Sequence, residues 1–266
     1  MTGRLENKSA VVVGAGQTPG ETIGNGRAMA LLFAREGAQV LCVDRLLDRA
    51  EETAALIREE GGTAFAIGAD IVKGPENVRI IEEAKARFGR LDILVNNVGI
   101  GGGDGPAHRL EEAAFDRILS VNLKGMWLTI KAALPVMRDG GGGSIVNISS
   151  LAARGGGIQL AYEVSKAGVN RLTTSVAQSN ARYGVRCNAI MMGYMDTPMA
   201  VSGIAGASGR STADVRAERD ARVPLGGKMG TGWDTAYAAL FLASDESKFI
   251  SGAILPVDGA MGVRIG

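Results

Sequence analysis

Short apolar runs alternate with amphipathic runs along almost the whole chain, and this alternation limits the possible folds more than any other feature of the sequence. The apolar runs are continuous, which is typical of strands buried on both faces of a parallel sheet. Strands separated by helices predict an α/β fold, a doubly wound parallel sheet with helices on both faces and right-handed crossovers. The predicted strands are residues 10–13, 40–43, 63–67, 93–95, 144–148, 186–190 and 253–256. The predicted helices include residues 24–36, 48–60, 76–88 and 112–134.

The length and charge of the chain argue against several classes of protein. A chain of 266 residues with no linker and no internal repeat predicts a single domain over residues 1–266. The formal net charge is +1, and no block of like charges would suit a nucleic acid or a membrane surface. The start has no apolar signal core and no stretch is long enough to cross a bilayer, so a soluble, cytoplasmic protein is expected. The only histidine is His108, and Cys42 and Cys187 lie in predicted strands, so no Cys/His metal site is expected.

Residues 199–222 break the alternation. The segment is rich in Gly, Ala and Ser, then charged, and it has little strand character. It follows the end of a predicted strand, where a surface excursion and a lid over a substrate site are equally good interpretations.

A glycine-rich turn joins the first predicted strand to the first predicted helix. It runs from Gly14 through Gly16 and Gly24 to Gly26. Backbone N–H groups and the positive end of the helix dipole meet at such a turn, and together they bind phosphate. Glycine lets the backbone approach a pyrophosphate closely, so the turn predicts a dinucleotide site.

Asp44 ends the second predicted strand. A carboxylate here can accept hydrogen bonds from both hydroxyls of an adenosine ribose, and it would repel a 2′-phosphate. The competing interpretation is a cap of the following turn or helix. The neighbouring Arg45 could neutralise the carboxylate or reach a phosphate. On balance Asp44 predicts NAD rather than NADP as the cofactor.

Tyr162 and Lys166 are four residues apart, so on a helix they would share one face. A free phenol has a pKa of about 10 and is a poor acid or base at neutral pH. A nearby ammonium group favours the phenolate and lowers that pKa. The pair therefore predicts a tyrosine that exchanges a proton with an alcohol or a carbonyl oxygen. The same spacing occurs by chance in many helices, and the other motifs decide the case.

Taken in order, the motifs resemble those of the short-chain dehydrogenase/reductase family over nearly the whole chain. After the glycine-rich turn come Asp70-Ile71, Asn96-Asn97-Val98-Gly99, Asn122, Asn147-Ile148-Ser149-Ser150, Tyr162 with Lys166, and Asp196-Thr197-Pro198-Met199. The resemblance implies a Rossmann-type domain with a seven-stranded parallel sheet. It also implies an oxidoreductase that moves a hydride between a nicotinamide and a substrate carbon.

The resemblance further implies a role for each matched residue. Tyr162 would be the general acid/base, and Ser150 would hydrogen-bond the substrate oxygen. Lys166 would bind the nicotinamide ribose and lower the pKa of Tyr162, and Asn122 would hold a water that relays protons. The cofactor-binding residues would be Gly14, Gly16, Gly24, Gly26, Asp44, Asp70, Ile71, Asn97, Gly99, Tyr162, Lys166 and Thr197.

Three features depart from the family pattern. Gly24 lies ten positions after Gly14 instead of four, which we interpret as an insertion, residues 17–22, that either folds over the cofactor or bulges outward. The family's usual spacing to the tyrosine selects Ser149, whereas the strand-end motif selects Ser150; we prefer Ser150 because a strand end fixes geometry. Met192 stands where the family commonly has proline, and it would either line the substrate pocket or pack in the core.

The predicted substrate pocket is formed by residues 100–105, 152–160, 192–194 and the segment 199–222. Most of these residues are small or apolar, and no pair of basic residues is placed to hold a carboxylate or phosphate. A neutral, moderately apolar alcohol or ketone is therefore expected. His108 and Gln159 would either add polar contacts or be ordinary surface residues.

The leading hypothesis is an NAD-dependent secondary alcohol dehydrogenase or ketone reductase. One alternative is a 3-oxoacyl-thioester (acyl-carrier-protein) reductase using NADPH, against which Asp44 argues. An alternative of another class is a non-catalytic dinucleotide-binding sensor or structural subunit, against which the complete tetrad argues. The resemblance also implies a homotetramer or homodimer that pairs through helices including residues 112–134 and 162–181.

Overall fold

The computed structural model describes residues 3–263, so the ends of the predicted domain, residues 1–2 and 264–266, lie outside the described residues. The strands are β1 (Ser9–Val13), β2 (Gln39–Asp44), β3 (Ala64–Gly68), β4 (Ile93–Asn96), β5 (Gly143–Ser150), β6 (Val185–Met192), β7 (Met195–Asp196), β8 (Gly230–Thr231) and β9 (Ile254–Val257). The α-helices are α1 (Asn25–Arg35), α2 (Leu47–Glu59), α3 (Gly74–Phe88), α4 (Glu112–Leu119), α5 (Met126–Asp139), α6 (Leu160–Asn180), α7 (Ser202–Ser208), α8 (Thr212–Asp220) and α9 (Gly232–Ala243).

Seven of the strands within residues 3–263 form one sheet in the order β3-β2-β1-β4-β5-β6-β9, and every neighbouring pair is parallel. Successive residues of a strand face opposite sides. Ala10 and Val12 of β1 pack with α1, α2 and α9, whereas Val11 and Val13 pack with α3, α5 and α6. The predicted doubly wound, seven-stranded parallel sheet with both faces covered is therefore confirmed.

The strand order reverses direction beside β1, and this reversal positions the site. The chain leaves β1 for β2 and β3 on one side, then crosses to β4 on the other. The loops that follow β1 and β4 therefore run to opposite faces, and a crevice opens at the carboxyl ends of these two strands. Gly14 follows β1 and Asn97 follows β4, so both stand at the mouth of this crevice.

The prediction of one regular helix over residues 112–134 is wrong in two respects. A π-helical turn, Ser120–Gly125, separates α4 from α5, and α5 continues through Pro135 to Asp139. A π turn inserts one residue into the helical repeat and widens the helix, and such turns often lie at functional sites. Here the widened turn contains Asn122, whose side chain is buried.

The segment 199–222 contains two helices, α7 and α8, that periodicity did not reveal. Together with nearby loops they enclose a small apolar cluster of their own, which consists of Val201, Ala205, Val215, Val223 and Met229. Just before this segment, β7 pairs with β8. No helix between residues 3 and 263 combines the length and apolar character needed to cross a bilayer.

Candidate active site

A cleft of about 710 Å³ lies at the carboxyl ends of the central strands. This volume is within the range of small-molecule sites. Every residue that the sequence predicted to bind a cofactor lines the cleft: Gly14, Gly16, Gly24, Gly26, Asp44, Asp70, Ile71, Asn97, Gly99, Tyr162, Lys166 and Thr197. Residues separated by more than 180 positions in the chain thus meet at one place, as the motif order predicted.

The glycine-rich turn leaves room for a ligand because its glycines have no side chains. Gly14 has a φ of +83°, a conformation that other residues rarely adopt. A Cβ on Gly26 would stand 1.8 Å from the carbonyl oxygen of Gly14, and one on Gly16 would stand 2.6 Å from an oxygen of Asp44. These close approaches form a cradle that fits a dinucleotide phosphate. Gly24 differs, because the nearest atom to a Cβ there is 3.7 Å away.

The inserted residues 17–22 turn toward the segment 199–222 rather than bulging outward. Gln17 lines the cleft, and its Oε1 accepts a 2.8 Å hydrogen bond from the Gly24 N–H at the start of α1. A Cβ on Gly20 would stand 2.7 Å from Pro198. Arg216 of α8 donates to Asp196 at 2.8 Å and to Glu21 at 3.3 Å. The insertion thus forms a wall of the cleft that touches the neighbouring segment.

Asp44 supports the turn that follows β2 and also lines the cleft. Its Oδ1 accepts a 3.0 Å hydrogen bond from the Leu46 N–H and so supports the turn that leads into α2. Its Oδ2 faces the glycine-rich turn beside Gly16 and lines the cleft. Arg45 and Arg49 line the same end of the cleft, so the carboxylate has two cations nearby.

Tyr162 and Lys166 face the same side of α6, as their spacing predicted. The Lys166 Nζ lies 5.5 Å from the centre of the Tyr162 ring and donates a 2.8 Å hydrogen bond to the Ile148 carbonyl. Burial lowers the pKa of Lys166 to about 8. The prediction that this ammonium lowers the pKa of the phenol is wrong for this structure: burial raises the pKa of Tyr162, and only the hydrogen bond with Ser150 opposes that rise. Lys166 does not lower it because, with a pKa of about 8, the ammonium has lost its proton at the higher pH where the phenol ionises.

The two candidate serines occupy different environments. Ser150 is close enough to Tyr162 to oppose the rise in the pKa of its phenol, and its Oγ accepts from the Ala152 N–H at 3.2 Å. Ser149 is fully buried, and its hydroxyl donates to the Lys166 carbonyl at 3.4 Å. The structure therefore places Ser150, and not Ser149, beside the phenol.

Asn122 lies behind the cleft and is joined to its wall. Its Oδ1 accepts from the Ile100 N–H at 2.7 Å, and its Nδ2 donates to the Ile100 carbonyl at 2.9 Å. The position of a Cβ on Gly99 would be 3.2 Å from the Lys166 Nζ and 3.8 Å from the Asn122 Oδ1. Tyr162 and Lys166 of the predicted tetrad therefore line the cleft, and Asn122 lies behind it next to Lys166.

Comparisons with known proteins agree with this geometry. Residues 21–262 match a family described as enoyl-(acyl carrier protein) reductase. The cis-4-hydroxycyclohexanecarboxylate dehydrogenase of Sinomonas cyclohexanicum is 40% identical over 94% of either chain. The chain belongs to the short-chain dehydrogenase/reductase family. It is therefore an oxidoreductase that acts with a nicotinamide dinucleotide, NAD or NADP.

Further short-chain dehydrogenases/reductases share nearly the full length of the chain. The 2-(S)-hydroxypropyl-CoM dehydrogenase 3 of Xanthobacter autotrophicus is 36% identical over 98% of this chain and 99% of its own. The 3-oxoacyl-[acyl-carrier-protein] reductase FabG of Thermotoga maritima is 33% identical over 97% and 99%. The crystal structure of levodione reductase superposes with a TM-score of 0.92 at 29% identity, covering 98% of this chain and 100% of that one.

Met192, which replaces the proline common in short-chain dehydrogenases/reductases, belongs to the cleft as well as to the core. It lines the cleft and packs against the core beneath α1. Its sulfur accepts hydrogen bonds from the Asn25 Nδ2 at 3.3 Å and the Thr235 Oγ1 at 3.4 Å. The thioether therefore joins α1 to α9 below the glycine-rich turn.

Sequence reasoning missed several residues of the cleft wall. Gln17, Thr18 and Arg49 line the cleft, and the Arg49 guanidinium lies 3.5 Å from the Thr18 hydroxyl. The signal that could have found Arg49 is its place in the first turn of the helix that follows Asp44. His108 and Gln159 are exposed.

Proposed function

We propose that this short-chain dehydrogenase/reductase interconverts a neutral secondary alcohol and its ketone with NAD(H), using Tyr162 as the general acid/base. The observation that carries the proposal is that Tyr162 and Lys166 meet on one face of α6 in the wall of a cleft that also contains the glycine cradle, with Ser150 close to the phenol. A proton donor, a second hydroxyl and a phosphate-binding turn are the groups that the reaction requires.

Each residue of the tetrad has a part that follows from its contacts. A bound nicotinamide supplies or accepts the hydride. A phenol is neutral at neutral pH, and the raised pKa of Tyr162 favours that form, so the hydroxyl can donate its proton to a carbonyl oxygen. Ser150 donates a second hydrogen bond to that oxygen as negative charge develops on it. In the direction of alcohol oxidation the phenol must lose its proton first, so that direction benefits from higher pH.

Lys166 and Asn122 support proton movement from behind Tyr162. Both lie beside Gly99, where a Cβ would stand 3.2 Å from the Lys166 Nζ and 3.8 Å from the Asn122 Oδ1. Lys166 would also hold the hydroxyls of the nicotinamide ribose. The pKa of about 8 lets Lys166 pass a proton near neutral pH more readily than a fully solvated lysine would.

The substrate class is tested with a panel of ketones and alcohols and both cofactors. Ring ketones and small aliphatic ketones should be reduced with NADH at higher kcat/KM than acyl thioesters. Preferred reduction of 3-oxoacyl thioesters with NADPH would instead favour the FabG-like function. Cofactor binding without turnover of any substrate would favour the non-catalytic sensor.

Cofactor choice is expected to depend on Asp44. Asp44→Asn removes the charge that repels a 2′-phosphate and leaves Arg45 and Arg49 beside it, so the ratio of kcat/KM for NADH to that for NADPH should fall about tenfold or more. Steady-state kinetics with both cofactors measure the ratio. Asp48→Asn is the control, because it makes the same charge change at an exposed position of α2. An unchanged ratio in Asp44→Asn, or a wild-type preference for NADPH, would show that NAD selectivity is wrong.

The two serines are expected to respond differently to alanine. Ser150→Ala removes a hydrogen-bond donor at the reacting oxygen and should lower kcat by about 10²-fold or more. Ser149→Ala removes a buried bond to the Lys166 carbonyl and should lower the melting temperature with less than about a tenfold change in kcat. A larger loss of kcat in Ser149→Ala than in Ser150→Ala would reverse the assignment.

Assembly and location stay predictions from the family resemblance. We propose a homodimer or homotetramer that pairs through α5 and α6, and a cytoplasmic location. Trp127 of α5 and Val164 of α6 support the pairing, because both are apolar and more than two-fifths exposed.

A further inference from the structure

Asp104 occupies an unusual position between a glycine-rich loop and the helix that carries Tyr162. Its Oδ2 accepts a 2.7 Å hydrogen bond from the Tyr162 N–H. Its Oδ1 accepts from the Ala161 N–H at 3.1 Å and from the Gly105 N–H at 2.8 Å. The carboxylate thus joins residues that are more than 50 positions apart in the chain.

The start of α6 has no side-chain partner of its own for its first N–H groups, because Glu163 accepts only from the N–H groups of residues 157–159. Gln159 stands at the N-cap position and makes no side-chain capping bond. The first N–H groups of any helix lack partners within that helix. Here the Leu160 N–H donates to the Gly105 carbonyl at 3.2 Å, and the next two N–H groups donate to Asp104. The loop of residues 100–105 therefore supplies the partners that the helix lacks, and the negative charge favours the positive end of the helix dipole.

The other end of the same loop is held by Asn122. The Asn122 side chain bonds both the N–H and the carbonyl of Ile100. In between, a Cβ on Gly101 would stand 3.6 Å from the Tyr162 ring, so the loop also lies against the phenol itself. Residues 100–105 thus form a strap from Asn122 to the backbone of Tyr162.

We propose that Asp104 is a positioning residue: it holds the first turn of α6 so that the Tyr162 hydroxyl stays beside Ser150 at the reacting oxygen. The inference rests on the proposed role of Tyr162. Tyr162 is the third residue of α6, where helices fray when their first N–H groups lose their partners. A displacement of about 1 Å at a reacting group can cost about 10²-fold in rate.

The first test is kinetic and uses the conservative variant as a rescue. Asp104→Ala should lower kcat by about 10- to 100-fold while KM for the cofactor changes less than about threefold, because the cradle at Gly14 and Gly26 is untouched. Asp104→Asn keeps one oxygen that can accept from the Tyr162 N–H but turns an Nδ2 donor toward the Ala161 and Gly105 N–H groups, so it should recover part of kcat. If Asp104→Asn is as slow as Asp104→Ala, or if Asp104→Ala keeps at least half of the wild-type kcat, the positioning role is wrong.

Asp92 provides the matched control at the opposite end of the sheet. Its Oδ2 accepts from the Ser9 N–H at 2.8 Å, so Asp92→Ala also removes a carboxylate from a backbone donor. We expect Asp92→Ala to lower the melting temperature and to leave kcat near the wild-type value. If Asp92→Ala and Asp104→Ala lower kcat equally at matched loss of stability, Asp104 acts only on stability.

The second test does not need turnover. Hydrogen exchange of the protein alone should show faster exchange at Ala161 and Tyr162 in Asp104→Ala, with little change beyond the second turn of α6. Unchanged exchange there would overturn the inference. A different result would be accelerated exchange in Asp104→Ala together with full activity in Tyr162→Phe. It would refute the proposed function, and the bonds from Asp104 to α6 would then be structural contacts only.

Discussion

Tyr162→Phe is expected to lower kcat by about 10³-fold, which is within the usual contribution of a positioned general acid. The substitution removes the phenolic hydroxyl close to Ser150 and leaves the ring, the helix and the glycine cradle in place. The dissociation constant for NADH should therefore change less than about threefold. Steady-state turnover and the quenching of NADH fluorescence measure the two effects separately.

Tyr237→Phe is the matched control for this variant. Tyr237 lies on α9 with its side chain largely exposed, outside the residues that line the cleft. The same loss of a hydroxyl there should leave kcat unchanged. If Tyr162→Phe kept a tenth or more of the wild-type turnover, another group would have to donate the proton and the proposed mechanism would be wrong.

The topology could be predicted because two independent signals agree on it. Continuous apolar strands between amphipathic helices indicate a buried parallel sheet, and the order of short motifs indicates where the sheet reverses. The same signals cannot show the hydrogen-bond register inside a helix. Residues 112–134 have helical periodicity throughout, and one additional residue in the turn Ser120–Gly125 alters it too little to be seen.

The direction of the Tyr162 pKa could not be predicted from spacing. A spacing of four positions from Tyr162 to Lys166 predicts a shared face, and the structure has that face. The pKa depends in addition on burial and on what the lysine binds. Lys166 is buried and donates to the Ile148 carbonyl, so desolvation outweighs the attraction that the spacing suggested.

The glycines of the cradle illustrate the same limit. Gly24 and Gly26 look equivalent in the sequence, because each is a glycine at the start of a helix. The structure separates them: a Cβ on Gly26 would overlap the Gly14 carbonyl, whereas one on Gly24 would have ordinary contacts. Only the tertiary approach of α1 to the end of β1 makes Gly26 sterically obligatory.

Gly26→Ala is therefore expected to destabilise the protein and to abolish tight cofactor binding. The new methyl group would stand 1.8 Å from the Gly14 oxygen and 2.7 Å from the Asn97 Nδ2. Neither atom can move freely, because the Asn97 Nδ2 itself donates to the Gly14 carbonyl at 2.9 Å. The first turn of α1 must shift away from the glycine-rich turn, at a cost of about 3 kcal/mol or more. Thermal unfolding should show a fall in melting temperature of about 10 °C.

Gly24→Ala separates the steric effect from loss of ligand contact. Gly24 has a φ of −76°, which alanine adopts without strain, and the nearest atom to its Cβ would be the Gln17 oxygen at 3.7 Å. Its melting temperature should stay within about 3 °C of the wild type, because the change in stability should be below about 1 kcal/mol. Any loss of NADH affinity in Gly24→Ala would then report contact with the cofactor itself. Equal destabilisation by both variants would contradict the packing argument, since only Gly26 faces a backbone atom that cannot yield.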